Sequence, residues 1–309
     1  MPSLLLLDSA SLYFRAFYGV PPRASSPAGI PTNALAGFLD MVATLVTRHR
    51  PTHFAACWDD DWRPQWRVDA VPSYKTHRVA EDPAEGEEVP DELSPQVPVI
   101  ARTLEALGLA RVGSPGYEAD DVIGTLADHY RESMPVGVVT GDRDLFQLVN
   151  DAIGPVRVLY TAKGGVRDPD VIDQGALEQR YGVPTGDAYA DMAVLRGDPS
   201  DGLPGVPGIG EKTAAALLAT YGDLAGIRAA IASGDPALKG ARRKRLEEAS
   251  AWLDAAPAVV RVARDVPVTD IDLTLPSAPA DPAALDVLAR DHGIQGPMMR
   301  LRDALWPGR

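Results

Sequence analysis

The chain alternates short apolar runs with longer stretches in which apolar residues recur every three or four positions. Residues 3–7, Ser-Leu-Leu-Leu-Leu, form one such run and end in Asp8. This is the pattern of a strand buried on both faces of a parallel sheet. Residues 54–58 and 136–140 repeat it, ending in Asp59-Asp60-Asp61 and Gly141-Asp142-Arg143-Asp144. Runs at 109–112 and 156–160 read as further strands. Helical spacing lies between them. Over 33–50 it places Leu35, Phe38, Leu39, Val42, Leu45 and Val46 on one face; it recurs over 97–107, and over 118–127 with Val122, Ile123 and Leu126. Strands alternating with helices predict an α/β fold with a mostly parallel, doubly wound sheet. From about residue 186 only helical patterns remain, so the expected division is a sheet domain over 1–185 and a helical domain over 186–309.

Composition is that of an ordinary soluble globular protein, 45% hydrophobic and 24% charged over 309 residues. The single cysteine, Cys57, lies in an apolar run and reads as a buried strand residue; one cysteine forms no internal disulfide. The apolar run at 4–7 is too short for a signal peptide or a membrane span, so the expectation is a cytoplasmic protein with no membrane partner. The net charge of −13 argues at first against a nucleic-acid partner. Nine of the 43 acids belong to one constellation, however, and setting them aside removes most of the excess.

That constellation starts where open α/β sheets place their ligands, at the carboxyl ends of strands. Asp8, the Asp59-Asp60 pair, and Asp142 with Asp144 all fall there. Glu118, Asp120 and Asp121 crowd the first turn of a helix. Acids suit a helix start, and Asp8, Asp142 and Asp144 could each serve as a cap. Three acids on one turn also repel one another, and a hard divalent cation answers that repulsion with carboxylate oxygens. Residues 79–101 contain no Lys or Arg, and seven acids with interspersed Pro and Gly between 81 and 92 predict a mobile, solvated excursion.

In the helical part, Arg196-Gly197-Asp198-Pro199-Ser200-Asp201-Gly202 precedes Gly205-Val206-Pro207-Gly208-Ile209-Gly210-Glu211-Lys212-Thr213. Glycines set for a tight turn directly before a helix form a helix–hairpin–helix over about 189–221. Such a turn offers backbone N–H groups to a phosphate without reading bases. Lys239-Gly240-Ala241-Arg242-Arg243-Lys244-Arg245 is the one dense basic run.

With these motifs in view, the chain resembles the bacterial 5′-nucleases: flap endonucleases and the 5′→3′ exonuclease domain of family A DNA polymerases. The resemblance runs from Asp8 to about Val268 and rests on Gly116-Tyr117-Glu118-Ala119-Asp120-Asp121, Thr140-Gly141-Asp142-Arg143-Asp144, the Asp198 motif and the Gly205–Thr213 hairpin in combination. It implies a PIN-like sheet domain with an arch near 68–96, and a stand-alone, monomeric, nucleoid-associated enzyme of replication and repair. The implied substrate is 5′-flap, nicked or branched DNA, cut by two or three Mg²⁺ or Mn²⁺ ions. The implied ligands are Asp8, Glu118, Asp120, Asp121, Asp142, Asp144, Asp198, Asp201 and one of Asp59 and Asp60. Asp59 follows its strand directly, whereas Asp60 keeps the usual seven-residue step to Arg67, which favours Asp60. Lys75 and Arg78 would contact the scissile phosphate, with Arg15 and Arg67 as weaker candidates. The implied DNA contacts are Gly205, Gly208, Ile209, Gly210, Lys212 and Thr213, where a K⁺ would also bind, and Arg242, Arg243, Lys244 and Arg245. Two departures stand out: Gly202 where the family often has Asn, and the long acidic stretch after Arg78. A DNA-binding relative without chemistry and a metal-dependent ribonuclease are the rival readings; the full set of acids opposes the first, and the hairpin-bearing helical half opposes the second.

Overall fold

The computed structural model describes residues 2–22, 26–27, 29–80, 86–152 and 154–308. The first half runs β1 (Leu4–Asp8), α1 (Ser9–Gly19), α2 (Asn33–His49), β2 (His53–Cys57), α3 (Gln65–Ala70), α4 (Gln96–Leu107), β3 (Ala110–Val112), α5 (Ala119–Tyr130), β4 (Val136–Thr140), β5 (Val156–Tyr160), β6 (Asp170–Ile172) and α6 (Gln174–Tyr181). The sheet order is β3-β2-β1-β4-β5-β6, with β1 to β5 parallel and β6 antiparallel. The chain leaves β1 toward β2 on one side and β4 toward β5 on the other. β1 and β4 therefore flank the switch point, where a crevice opens beyond their carboxyl ends.

Both faces of the sheet are covered, which is why β1 is an unbroken apolar run. Leu4 and Leu6 join the core on the α5 side, and Leu5 and Leu7 join the core beneath α2 and α4. Asp8 closes the strand and caps α1, its Oδ1 accepting the Ser11 N–H at 3.0 Å.

The second half is helical: α7 (Gly186–Arg196), α8 (Glu211–Tyr221), α9 (Leu224–Ser233), α10 (Gly240–Glu248), α11 (Ser250–Val260), α12 (Pro282–His292) and α13 (Gln295–Leu305). Its last two helices depart from the division expected at residue 185. α13 packs on α2 and α12 on α4, and Leu285, Leu288, Met298, Leu301 and Trp306 share a core with Phe38 and Val42. The physical reason is that α2 and α4 would otherwise expose their outer apolar surface. Residues 273–275 lead there by crossing the start of β2, with Phe54 N–H donating to Leu273 O at 2.8 Å and Leu275 N–H to Thr52 O at 3.0 Å. Among the described residues no single helix is long and apolar enough to cross a membrane.

The acidic excursion lies partly outside the described residues, which omit 81–85. Its far limb is ordered: Glu87 pairs with Val79 in an antiparallel bridge, and Glu88 N–H donates to Arg78 O at 2.8 Å.

Candidate active site

The crevice beside β1 and β4 is a cavity of about 260 Å³, into which Asp8, Asp59, Glu118, Asp120 and Asp142 all project. Asp8 is 6% exposed, and its Oδ2 accepts the Thr140 hydroxyl at 2.7 Å. Thr140 Oγ1 in turn accepts the Asp142 N–H at 2.8 Å, so one hydroxyl ties the acids of two adjacent strands together. Thr140 opens the Thr140–Asp144 motif in the sequence, but its role as the tie between the two strands' acids is not among the expectations drawn from it.

Burial pushes the Asp8 carboxyl up to about 7; bonds from Thr140 and Ser11 pull it back, and the charges of Asp59 and Asp142 push it further. Asp120 is raised well above the usual carboxylate range, first by burial and then by Asp8 and Asp142. Asp144 is raised likewise by burial, Asp142, Asp201 and Asp198. Burial also raises Asp59, against a hydrogen bond from the Ala119 N–H. Asp8, Asp59, Asp120, Asp142, Asp144, Asp198 and Asp201 thus form one connected electrostatic field.

Asp59 and Asp60 diverge as successive residues beyond a strand do. Asp59 faces the cavity; Asp60 pairs with Arg111 at 2.8 Å on the outer flank. The expectation favouring Asp60 is therefore corrected to Asp59. Asp121 needs a second correction. Its Oδ1 accepts Arg67 Nη2 and the Ala263 N–H, both at 2.7 Å; its Oδ2 accepts Arg67 Nη1 at 2.8 Å and the Glu118 N–H at 3.2 Å. With both oxygens committed and no exposure, it anchors the turn rather than facing a ligand. Arg67 is 2% exposed and also pairs with Glu118, so it supports the acids from below and does not reach a substrate. Arg15 lies against Gly165, outside the cavity lining.

Lys75 and Arg78 do line the cavity. Lys75 Nζ pairs with Glu118 Oε1, and the Tyr74 hydroxyl donates to Glu118 Oε2 at 2.7 Å. Arg78 Nη2 donates to Asp201 Oδ1 at 2.7 Å and to Ser200 O at 3.0 Å. The Lys75 N–H donates to Asp201 O at 2.9 Å, so the turn after α3 is laced to the Asp198 loop. This explains Gly202. Its φ is +70°, and a Cβ there would stand 2.3 Å from Ser73 O, where the two segments touch. Asp198 caps its short helical turn through the Ser200 N–H, and Ser200 Oγ also donates to it.

Among the described residues no three acids, histidines or cysteines close into a finished metal cage. Glu118 and Asp201 are drawn instead onto Lys75 and Arg78. The donor set nevertheless suits a hard divalent cation. It is all oxygen, with Asp8 buried and Asp142 open to solvent, and Asp8, Asp120, Asp142 and Asp144 form no ion pair with a basic side chain among the described residues.

Beside this cleft stands the hairpin between α7 and α8. Gly210 is the extended N-cap of α8, which has no side-chain cap, and Ile209 is buried as the hairpin's apolar anchor. Lys212 and Thr213 lie in the first turn of α8. Gly205 meets the Arg196 carbonyl so closely that a Cβ would come within 2.3 Å of it. Gly208 has φ +73°, and a Cβ would stand 2.4 Å from the Arg245 guanidinium, which reaches across from α10. The basic run therefore divides: Arg243 pairs with Glu247 at 2.6 Å and Lys244 with Glu248 at 3.6 Å, while Arg245 lies on the hairpin and Arg242 is exposed. Arg143, between the two acids of the β4 loop, pairs with Glu211 at 2.9 Å and links that loop to the start of α8.

Comparison with known proteins matches this architecture. Residues 3–182 match the family model of the 5′-3′ exonuclease N-terminal resolvase-like domain, and residues 184–282 that of the 5′-3′ exonuclease C-terminal SAM fold. A 5′-3′ exonuclease of Streptomyces coelicolor is 59% identical over 97% of this chain and 99% of its own length. A 5′-3′ exonuclease of Mycobacterium tuberculosis is 50% identical over 98% and 97%. DNA polymerase I of Mycobacterium bovis is 40% identical over 94% of this chain, which spans 30% of the polymerase. Among solved structures, T5 5′-exonuclease with bound zinc shares the fold at a TM-score of 0.63 and 17% identity, covering 98% of each chain. The catalytic core of Rad2 in complex with DNA substrate shares it at 0.60 and 18%, covering 98% of this chain and 92% of that one. On this sequence similarity, carried through both halves of the fold, the chain belongs to the 5′-3′ exonuclease family.

Proposed function

We propose that the protein is a divalent-metal-dependent, structure-specific nuclease that hydrolyses phosphodiester bonds at 5′ flaps, nicks and branches of duplex DNA. The observation that carries this reading is the convergence of carboxylates from β1, β2, α5 and β4 on one cavity, rimmed by Lys75 and Arg78 and flanked by the glycine hairpin before α8.

Asp8, Glu118, Asp120 and Asp142 are the residues that would hold one Mg²⁺ or Mn²⁺ ion. Asp144, Asp198 and Asp201 would hold a second, and Asp59 supports the first group. Bound there, such ions supply Lewis acidity toward the phosphodiester and the attacking water. The chain's own residues do the rest. The hairpin N–H groups and Arg245 hold the duplex backbone at a fixed distance from the acids. Lys75 and Arg78 present cations to the scissile phosphate and offset charge that builds on its oxygens. Thr140 and Arg67 hold Asp8 and Glu118 in orientation. Relatives whose names read 5′-3′ exonuclease, and a T5 flap endonuclease structure described as a pseudo-enzyme-product complex with DNA and metal ions, support this assignment.

The test is cleavage of a 5′-labelled flap duplex with Mg²⁺, compared with EDTA and with single-stranded RNA. Metal-dependent release of the flap with no cut in RNA is expected. Binding without cleavage in any metal would overturn the enzymatic reading, and preferential RNA cleavage would overturn the substrate.

A further inference from the structure

Among the described residues, the two turns that carry the acids, at the start of α5 and after β4, share no direct backbone–backbone hydrogen bond. Both are bonded to a third segment, residues 260–266, which leaves the end of α11. On one side, buried Gln147 bridges: its Nε2 donates to Asp144 O at 2.9 Å and Val260 O at 3.0 Å, and its Oε1 accepts the Val262 N–H at 3.0 Å. On the other side, the Ala263 N–H donates to Asp121 Oδ1 at 2.7 Å. Thr125 Oγ1 accepts the Val266 N–H at 3.1 Å and donates to Ala263 O. The contact is close enough that a Cβ on Gly124 would stand 2.6 Å from Val262 Cγ2. Gln147, Asp121 and Thr125 are buried, and the bonds to Val260, Val262 and Val266 are shielded from solvent.

We propose that residues 260–266 act as a strap that fixes the α5 turn and the β4 loop relative to each other, with Gln147, Asp121 and Thr125 as positioning residues for the two acid groups. This rests on the metal-dependent reading above. Supporting bonds of this kind govern metal affinity by holding ligands in orientation, and their loss costs about 10- to 100-fold. The strap also follows α10 and α11, which continue from the DNA-gripping hairpin. It therefore gives the helical half a physical hold on the acids of the sheet half, independent of the Arg143–Glu211 pair.

The experiment uses the full chain. Mn²⁺ binding is titrated by electron paramagnetic resonance without DNA, and kcat and KM are measured on a labelled flap. Gln147→Met keeps the volume and removes all three bonds. It is expected to weaken Mn²⁺ binding about 10-fold or more and to lower kcat about 100-fold, with KM within a few-fold of the parent. Thr125→Val leaves every carboxylate and Gln147 in place and is expected to move both readouts in the same direction; it decides the matter if Gln147→Met does not fold. Folded variants with the parent's Mn²⁺ isotherm and kcat, even with a lower melting temperature, would make the strap purely structural and overturn the inference. A parent chain that binds no Mn²⁺ would overturn the metal reading instead, and the strap's role with it.

Discussion

Lys75 and Glu118 form an ion pair at the mouth of the crevice, with Arg67 and Tyr74 bonded to the same carboxylate from beneath. Glu118 is thus held by three side-chain donors, of which only Lys75 reaches the cavity. Lys75→Ala leaves the two supports in place. It should reduce kcat about 100- to 1,000-fold, the usual loss for a cation acting on transition-state charge. Flap affinity in Ca²⁺ should stay within a few-fold. Cleavage near the parent rate would reduce Lys75 to a partner of Glu118 alone.

Asp8 contributes a defined part of the response to pH. Its carboxyl is raised to about 7 from an ordinary 3.8, so the folded, metal-free protein favours the protonated form. That contribution is fully present below about pH 4 and is lost as pH rises through about 7. Asn cannot ionise. The stability of Asp8→Asn relative to the parent should therefore climb between pH 4 and 8, by up to about 4 kcal/mol. Urea midpoints in EDTA at pH 5 and 8 measure it, and a gap that does not change with pH contradicts the burial argument.

Asp142 should serve chemistry more than folding. Its Oδ1 accepts the Asp144 N–H at 3.0 Å, a bond that the oxygen of Asn also makes. Asp142→Asn should melt at the parent temperature or higher without metal, because it relieves repulsion with Asp8, Asp120 and Asp144. Flap cleavage should fall by orders of magnitude while flap binding persists. A variant that melts far lower yet cleaves well would make Asp142 a cap.

The basic run should act unequally on DNA. Arg245→Ala should flatten the slope of log K against log[salt] by roughly one unit, with equal loss on unrelated duplexes. Lys244→Ala, whose charge is shared with Glu248, should change the slope much less. Equal slopes for both would place the hairpin contact elsewhere.

Much of this was legible in the chain. Apolar runs ending in Asp8, Asp59 and Asp142 announce a parallel sheet and the edge where its ligands gather, because burial on both faces permits no polar alternation. The Gly205–Gly210 spacing announces the hairpin. The limits have physical causes. Asp59 and Asp60 are adjacent, and only the direction of the chain beyond β2 decides which faces the cavity. Asp121 reads like its neighbours, because its partners Arg67 and Ala263 lie 54 and 142 residues away. The strap bonds through main-chain groups, which have no sequence signature. The amphipathic pattern of α12 and α13 says that each buries a face but not which surface receives it.

That last placement bears on how the protein is made. The sheet layer is synthesised first, but α2 packs against α13, at residues 295–305, as extensively as against α1. Until those residues leave the ribosome, the α2 side of that layer lacks one of its two largest packing partners. The nascent chain thus completes the packing of its first layer late, and the protease resistance of that layer should rise only once residues 295–305 have been added.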